Sequence, residues 1–307
     1  MQPIFNPIQD AQIIKNAFSS PVNIDTVIQI ITHRSNQQRQ EIKNSYFNQF
    51  QINIFDEFNK HLSGKLKYAF IALFCPPVDY DCYEIQKAVS GLGTDEDTLI
   101  EIIASRSNER LIQIRQRFPQ LYKKDVIEVI RSETSGHLQK ILISLLQADR
   151  PCNIIPNEGL CKESAIRLYD SLKGGKDMAY NSFIYVFTEK SREELAMISK
   201  IYYTHYFKTL MQVVEDVFSG DGRRILKAII YSLLSPSEYF AYRINKALTS
   251  FILNDTILTR VLVSRDEIDM DRIKKYYKQN YNISLYDQIS NKTSGDYKKL
   301  LLSLIGN

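Results

Sequence analysis

Apolar residues recur at helical spacing near the end of four similar stretches of the chain. Leu66, Ala69, Phe70, Leu73 and Phe74 fall on one face of a 3.6-period helix, as do Leu138, Ile141, Leu142, Leu145 and Leu146. Tyr297, Leu300, Leu301, Leu304 and Ile305 repeat the pattern, and Ile225, Leu226, Ile229 and Ile230 keep it with Gly222 in the first slot. A Ser-Gly pair precedes each run: Ser63-Gly64, Ser135-Gly136, Ser219-Gly220 and Ser294-Gly295. The serine hydroxyl is expected to accept an orphan backbone N–H at the helix start.

These runs close four copies of a longer unit. A basic residue (Arg34, Arg106, Lys190, Arg265) is followed eight positions later by isoleucine (Ile42, Ile114, Ile198, Ile273) and thirty positions later by the glycine of the pair. Fixed internal offsets mean one structural unit used four times. The second unit shows its parts. A helix near Glu84–Val89 is broken by Gly91-Leu92-Gly93. Thr94 is expected to cap the next helix, with Asp97 completing a capping box. That helix carries Leu99, Ile102 and Ile103. A third carries Leu111, Ile114 and Arg115 and is expected to stop near Pro119, and a fourth carries Val126, Ile127 and Ile130. With the final run this makes about five short helices per unit. No alternating strand pattern of useful length occurs, so the fold class is all-α. The stretch Asp149–Glu163 holds two prolines and a glycine and reads as a linker, which suggests two halves joined there.

Composition narrows the classes little. The chain has 307 residues, 44% hydrophobic and 24% charged, with a formal charge of +4. This is an ordinary globular balance, and its mild basicity leans toward an anionic partner without choosing between a membrane surface and nucleic acid. Cys75, Cys82, Cys152 and Cys161 form no C-x-x-C pair and read as reduced thiols of a cytoplasmic protein. The start MQPIFNPIQD lacks a signal-peptide pattern. No apolar run approaches the roughly 20 residues of a membrane span. His33, His61, His137 and His205 have no metal spacing. The basic residue of each unit is expected to pair with acids or helix-end carbonyls of its own repeat. The abundant aromatics follow helical faces, as in Tyr202, Tyr203, Tyr206 and Phe207, and are expected to pack in the core rather than stack on bases. No nucleophile elbow, P-loop or dinucleotide fingerprint occurs, so no enzyme is expected.

Chemistry concentrates in Val89-Ser90-Gly91-Leu92-Gly93-Thr94. Two glycines permit a tight turn whose carbonyls converge, and hard cations such as Ca²⁺ take several oxygen ligands. Glu133, in SETSG, would supply a carboxylate from the loop between the fourth and fifth helices. Three carbonyls and two carboxylate oxygens fall short of the usual 6–8 ligands of calcium, leaving room for a phosphate oxygen. On spacing alone, the plainer reading is a helix-breaking turn and a surface charge.

The run GLGTDEDTLIEIIASRSNERL with SETSG downstream resembles an annexin repeat, as do THRSNQQRQEI in the first unit and VLVSRDEIDMDRIKKYY with NKTSGDYKKLLLSL in the fourth. The resemblance covers nearly the whole chain. It implies four five-helix repeats in a curved disk, over residues 10–77, 80–150, 160–235 and 236–307. It also implies calcium and anionic phospholipid bound at interhelical loops, with Val89, Gly91, Gly93 and Glu133 as metal ligands. It places the chain as a peripheral protein at the cytosolic face of membranes.

The other units depart from this pattern. Unit one has Ser19 and Pro21 at the glycine slots and His61 at the acid slot. Unit four has Ser250, Ile252 and Lys292. Unit three has Lys173-Gly174-Gly175-Lys176-Asp177 with shifted glycines and Val217 at the acid slot, beside Asp216. Loss of metal sites is expected in units one and four, and a cation-free loop in unit three. Two readings of Phe251-Ile252-Leu253 stand open: packing under its own loop, or resting among lipid headgroups with Lys292 on phosphate. The alternative for the whole chain is a scaffold that binds a cytoskeletal or other protein partner largely without calcium. Nucleic acid is not an expected partner.

Overall fold

The structure is a computed structural model and describes residues 5–91 and 93–306. It is 78% helical with 20 α-helices, and no strand occurs among the described residues. The first repeat holds α1 (Pro7–Ala17), α2 (Ile24–Thr32), α3 (Asn36–Phe50), α4 (Ile54–His61) and α5 (Gly64–Phe74). The second holds α6 (Pro77–Ala88), α7 (Glu96–Ser105), α8 (Asn108–Tyr122), α9 (Val126–Glu133) and α10 (Gly136–Gln147). The third holds α11 (Glu158–Ser171), a 3-10 turn (Leu172–Gly174), α12 (Lys176–Glu189), α13 (Arg192–Tyr206), α14 (Leu210–Val217) and α15 (Gly220–Leu234). The fourth holds α16 (Pro236–Thr249), α17 (Asp255–Arg265), α18 (Met270–Tyr281), α19 (Leu285–Lys292) and α20 (Gly295–Ile305).

Local chemistry sets the boundaries. Ser35 and Ser191 open α3 and α13 with full capping boxes, each hydroxyl accepting from the N3 amide and the Gln38 or Glu194 side chain accepting in return. Each third helix of a repeat ends on a residue in the left-handed region: Gln51, Lys123, Phe207 and Asn282, at φ of 55, 58, 55 and 59°. All four stand at the same offset from the repeat's basic residue, yet only asparagine among them favours that conformation. The glycine of each Ser-Gly pair is also left-handed, at φ between 54 and 63°. The preceding serines occupy the cap position but make no side-chain capping bond. What the pair supplies is therefore the glycine backbone, not the expected hydroxyl cap.

Two further expectations are corrected in the second repeat. Asp95 caps α7, accepting from the Thr98 amide at 3.0 Å. Thr94 does not cap it, and Asp97 instead accepts from Arg224 of α15 at 2.6 Å. The helix α8 runs through Pro119 to Tyr122, three residues past the proline expected to end it.

The basic residues are architectural, as expected. Arg34 grips Asp10 at 2.7 Å and Arg106 grips Asp81 at 2.8 Å, both reaching back to the first helix of the repeat. Lys190 and Arg265 pair one turn forward with Glu194 (3.2 Å) and Asp269 (2.8 Å). Both arginine–aspartate pairs of the first two repeats are buried, where an unpaired partner would carry a large desolvation cost.

The chain forms two compact units, Met1–Tyr80 with Phe240–Asn307, and Asp81–Tyr239. In the first, α2 and α5 of repeat one pack on α20 and α17 of repeat four. Its core includes Phe58, which meets Phe70 and Phe74 edge-on at 5.3 and 5.2 Å, pairs worth about 0.5–1.5 kcal/mol each beyond area burial. In the second, α7 and α10 pack on α15. The expected division at residues 149–163 is thus wrong: repeats pair one with four and two with three, and the linker lies inside the second unit. There Arg150 is half-buried, with its guanidinium on the carbonyls of Lys190 (2.6 Å) and Phe187. The Arg150 carbonyl accepts from Asn108 at 2.6 Å. These bonds satisfy an irregular segment that periodicity alone reads as a joint.

Aromatic burial is mixed. Tyr202 is buried as expected, whereas Tyr203 and Phe207 are exposed at 55% and 82%, which corrects the core assignment for those two. Phe207 follows the last helical residue of α13, and its left-handed backbone turns the side chain out of the helical face. No helix among the described residues is long and apolar enough to cross a membrane.

Candidate metal centre

The loop between α6 and α7 is closed at its base by the Asp95 amide on the Ala88 carbonyl at 2.8 Å. Between these ends Gly91 and Gly93 take φ of 153 and 88°, values that side-chain-bearing residues rarely adopt. Both glycines are exposed, with no atom within 4 Å of where a Cβ would stand. Among the described residues, no hydrogen bond is donated to the carbonyls of Val89, Gly91 or Gly93. Leu92 lies outside the described residues.

Glu133 is the last residue of α9, one position earlier than the loop expected for it. The Thr94 hydroxyl donates to the Glu133 carbonyl at 3.0 Å, so the glycine loop and the acid slot are tied directly to each other. The Glu133 side chain is exposed and makes no ion pair or hydrogen bond among the described residues. A carboxylate left in water beside a loop of unbonded carbonyls is an all-oxygen donor set suited to a hard cation. No cluster of three or more His, Cys, Asp or Glu side chains with metal-holding geometry occurs among the described residues. A cation here would therefore rest on backbone oxygens and one carboxylate.

The corresponding places in the other repeats differ for visible reasons. In repeat one the His61 ring stacks on Phe18 at 5.2 Å and lies 3.3 Å from the Glu57 carboxylate, which Lys15 also holds at 2.6 Å. The acid slot is thus packed against the repeat. In repeat three the 3-10 turn and Gly175 lead straight into α12, so helix replaces the open loop. The Tyr180 ring stacks on His137 at 3.7 Å, and its hydroxyl donates to the Ser219 carbonyl at 3.4 Å. A Cβ at Gly222 would lie 2.6 Å from that hydroxyl, which accounts for glycine in the first apolar slot. Asp216 is held by Lys208 at 2.9 Å, and Glu215 by Lys227. Neither is poised for a shifted loop.

In repeat four the α16–α17 loop keeps the same base, with the Asn254 amide on the Ala247 carbonyl at 3.2 Å. Its tip is apolar. Phe251 is 104% exposed and Ile252 78%, so the reading in which they pack under their own loop does not hold. Lys292, in the place of Glu133, is exposed and has no ion pair among the described residues.

Comparisons with known proteins agree with the repeat reading. The annexin family model matches residues 9–73, 80–145, 163–229 and 239–304. Annexin A6 of Mus musculus is 36% identical over 307 residues, covering 99% of this chain, which spans 45% of that relative's length. The solved structure of annexin III superposes with a TM-score of 0.95 at 32% identity, over 99% of this chain and 95% of that one. A structure described as calcium-bound annexin (Sm)1 matches with a TM-score of 0.87 at 26% identity, over 99% and 91%. Four matched repeats over nearly the full sequence show that this chain belongs to the annexin family, whose members bind phospholipid in a calcium-dependent manner.

Proposed function

We propose that this annexin binds anionic phospholipid membranes in a calcium-dependent manner through the second repeat. The carbonyls of Val89, Gly91 and Gly93 and the carboxylate of Glu133 would hold the ion. Bound there, calcium supplies a positive charge with unfilled coordination, which a lipid phosphate oxygen completes. The loop contributes preorganised carbonyls, Thr94 fixes the acid's helix end beside them, and Glu133 stays free of competing partners. The carrying observation is the Thr94–Glu133 bond at 3.0 Å, which brings the two halves of the donor set together before any ion arrives.

One such loop would act where four repeats offer four places. Attachment through several weak contacts depends steeply on their number. The loss of glycine–acid pairs in repeats one, three and four therefore favours a second reading, a scaffold that binds a cytoskeletal or other protein partner largely without calcium. Co-sedimentation with phosphatidylserine vesicles separates them. The membrane reading expects a calcium-dependent increment in pelleting that chelator removes, with a midpoint at high calcium. Absence of pelleting at millimolar calcium would leave the scaffold reading in its place.

A further inference from the structure

We propose that the repeat-four loop is a metal-independent membrane contact, in which Phe251 and Ile252 enter the interfacial layer of an anionic bilayer and Lys292 pairs with headgroup phosphate. The proposal rests on the reading that the corresponding loop of repeat two faces lipid. Three features of this loop carry it. Phe251 and Ile252 are adjacent and exposed at 104% and 78%, an arrangement that water disfavours. The backbone below them is fixed: the Asn254 side chain caps α17 through the Ile257 amide at 2.9 Å, and the Asn254 amide closes the loop on Ala247. The hydroxyls of Thr249 and Ser250 bond back to the Asn245 and Lys246 carbonyls, so the end of α16 satisfies itself. The apolar tip is therefore held outward rather than waiting to fold in.

The third feature is charge. Repeat four carries Lys292 where repeat two carries Glu133. Its ammonium is unpaired among the described residues, while the first acid after the tip, Asp255, is engaged by Lys65 at 3.5 Å. A cation in that slot repels calcium and attracts phosphate directly, so the repeat would dispense with the ion. The occupant is a bilayer rather than a protein because the tip is only two side chains wide. A stable protein interface needs on the order of 1,000 Å² of complementary surface, whereas an interfacial anchor needs only one or two apolar side chains beside a cation.

The chain contains no tryptophan, so Phe251→Trp installs a single reporter at the tip. Its emission is followed on phosphatidylserine–phosphatidylcholine vesicles, with and without brominated lipid, in calcium and in chelator. The expected result is a blue shift and bromolipid quenching in both arms. A Phe251→Ser/Ile252→Ser double variant should lower the chelator-resistant partition about tenfold or more, and Lys292→Glu about tenfold. Both should leave the calcium-dependent increment that Glu133→Gln removes. Vesicle-bound protein in calcium whose reporter emission stays water-like would overturn the proposal while leaving the repeat-two reading intact. So would a blue shift confined to the calcium arm, or one that appears without vesicles as protein concentration rises. Absence of vesicle binding in both arms would overturn both readings.

Discussion

Replacing Glu133 by glutamine removes one negative charge from the proposed metal centre and changes almost nothing else. The side chain is exposed and without partners, and the Thr94 bond goes to the main-chain carbonyl, so the folded structure should be unaffected. The expected loss can be bounded. A divalent ion and a carboxylate at an ordinary calcium–oxygen separation of about 2.4 Å attract by about 3 kcal/mol even at the dielectric constant of water. The exposed setting makes water's dielectric the appropriate conservative choice. Three kcal/mol corresponds to about two orders of magnitude in affinity. The variant should therefore shift the calcium midpoint of vesicle co-sedimentation upward by about a hundredfold, with an unchanged thermal midpoint, and Glu133→Asp should restore part of the loss. A midpoint within twofold of wild type would show that calcium-dependent attachment does not pass through this carboxylate.

Other consequences follow from the same structure. Thr94→Val deletes the hydroxyl on the Glu133 carbonyl, worth about 1 kcal/mol; calcium affinity by titration calorimetry should fall about fivefold. Arg106→Ala strands Asp81 in a buried pair and should destabilise the second unit by about 3–5 kcal/mol in urea unfolding. Phe207 is exposed in a left-handed conformation, so Phe207→Gly should stabilise by about 1 kcal/mol, read as a raised melting temperature. Asp266 is pushed up to about 6 chiefly by burial, with Arg39 opposing and Glu267 adding to the rise. Its folded pKa lies above its ordinary value of 3.8, so its contribution to stability is fully present below about pH 4. That contribution is lost as pH climbs through about 6. Up to about 3 kcal/mol should disappear across that window, and Asp266→Asn should flatten this part of the stability–pH curve relative to wild type.

Periodicity and fixed offsets were enough to read four repeats of about five helices each, because the closing apolar face and the Ser-Gly junction recur in register. The nearness of the glycine loop to Glu133, seen in the Thr94–Glu133 bond, was suggested by the resemblance to an annexin repeat, since spacing alone reads equally as a turn and a surface charge. What escaped depends on contacts across repeats. The pairing of repeat one with four is set by α2 and α5 against α20 and α17, and no local pattern encodes it. Asp97 looks like a capping-box acid until Arg224, far along the chain, is seen to claim it. The left-handed residues ending each third helix went unread because Gln51, Lys123, Phe207 and Asn282 share a backbone state but no chemistry. The outward turn of Phe251 and Ile252 was undecidable from sequence, where an apolar triplet reads equally as buried or displayed.

The most direct test of the central claim is a crystal structure of this chain grown in calcium. The account predicts an ion held by the carbonyls of Val89, Gly91 and Gly93 and the carboxylate of Glu133, and none at His61, Val217 or Lys292. A vacant repeat-two loop with Glu133 turned away from the glycines, at calcium concentrations that support vesicle binding, would contradict it.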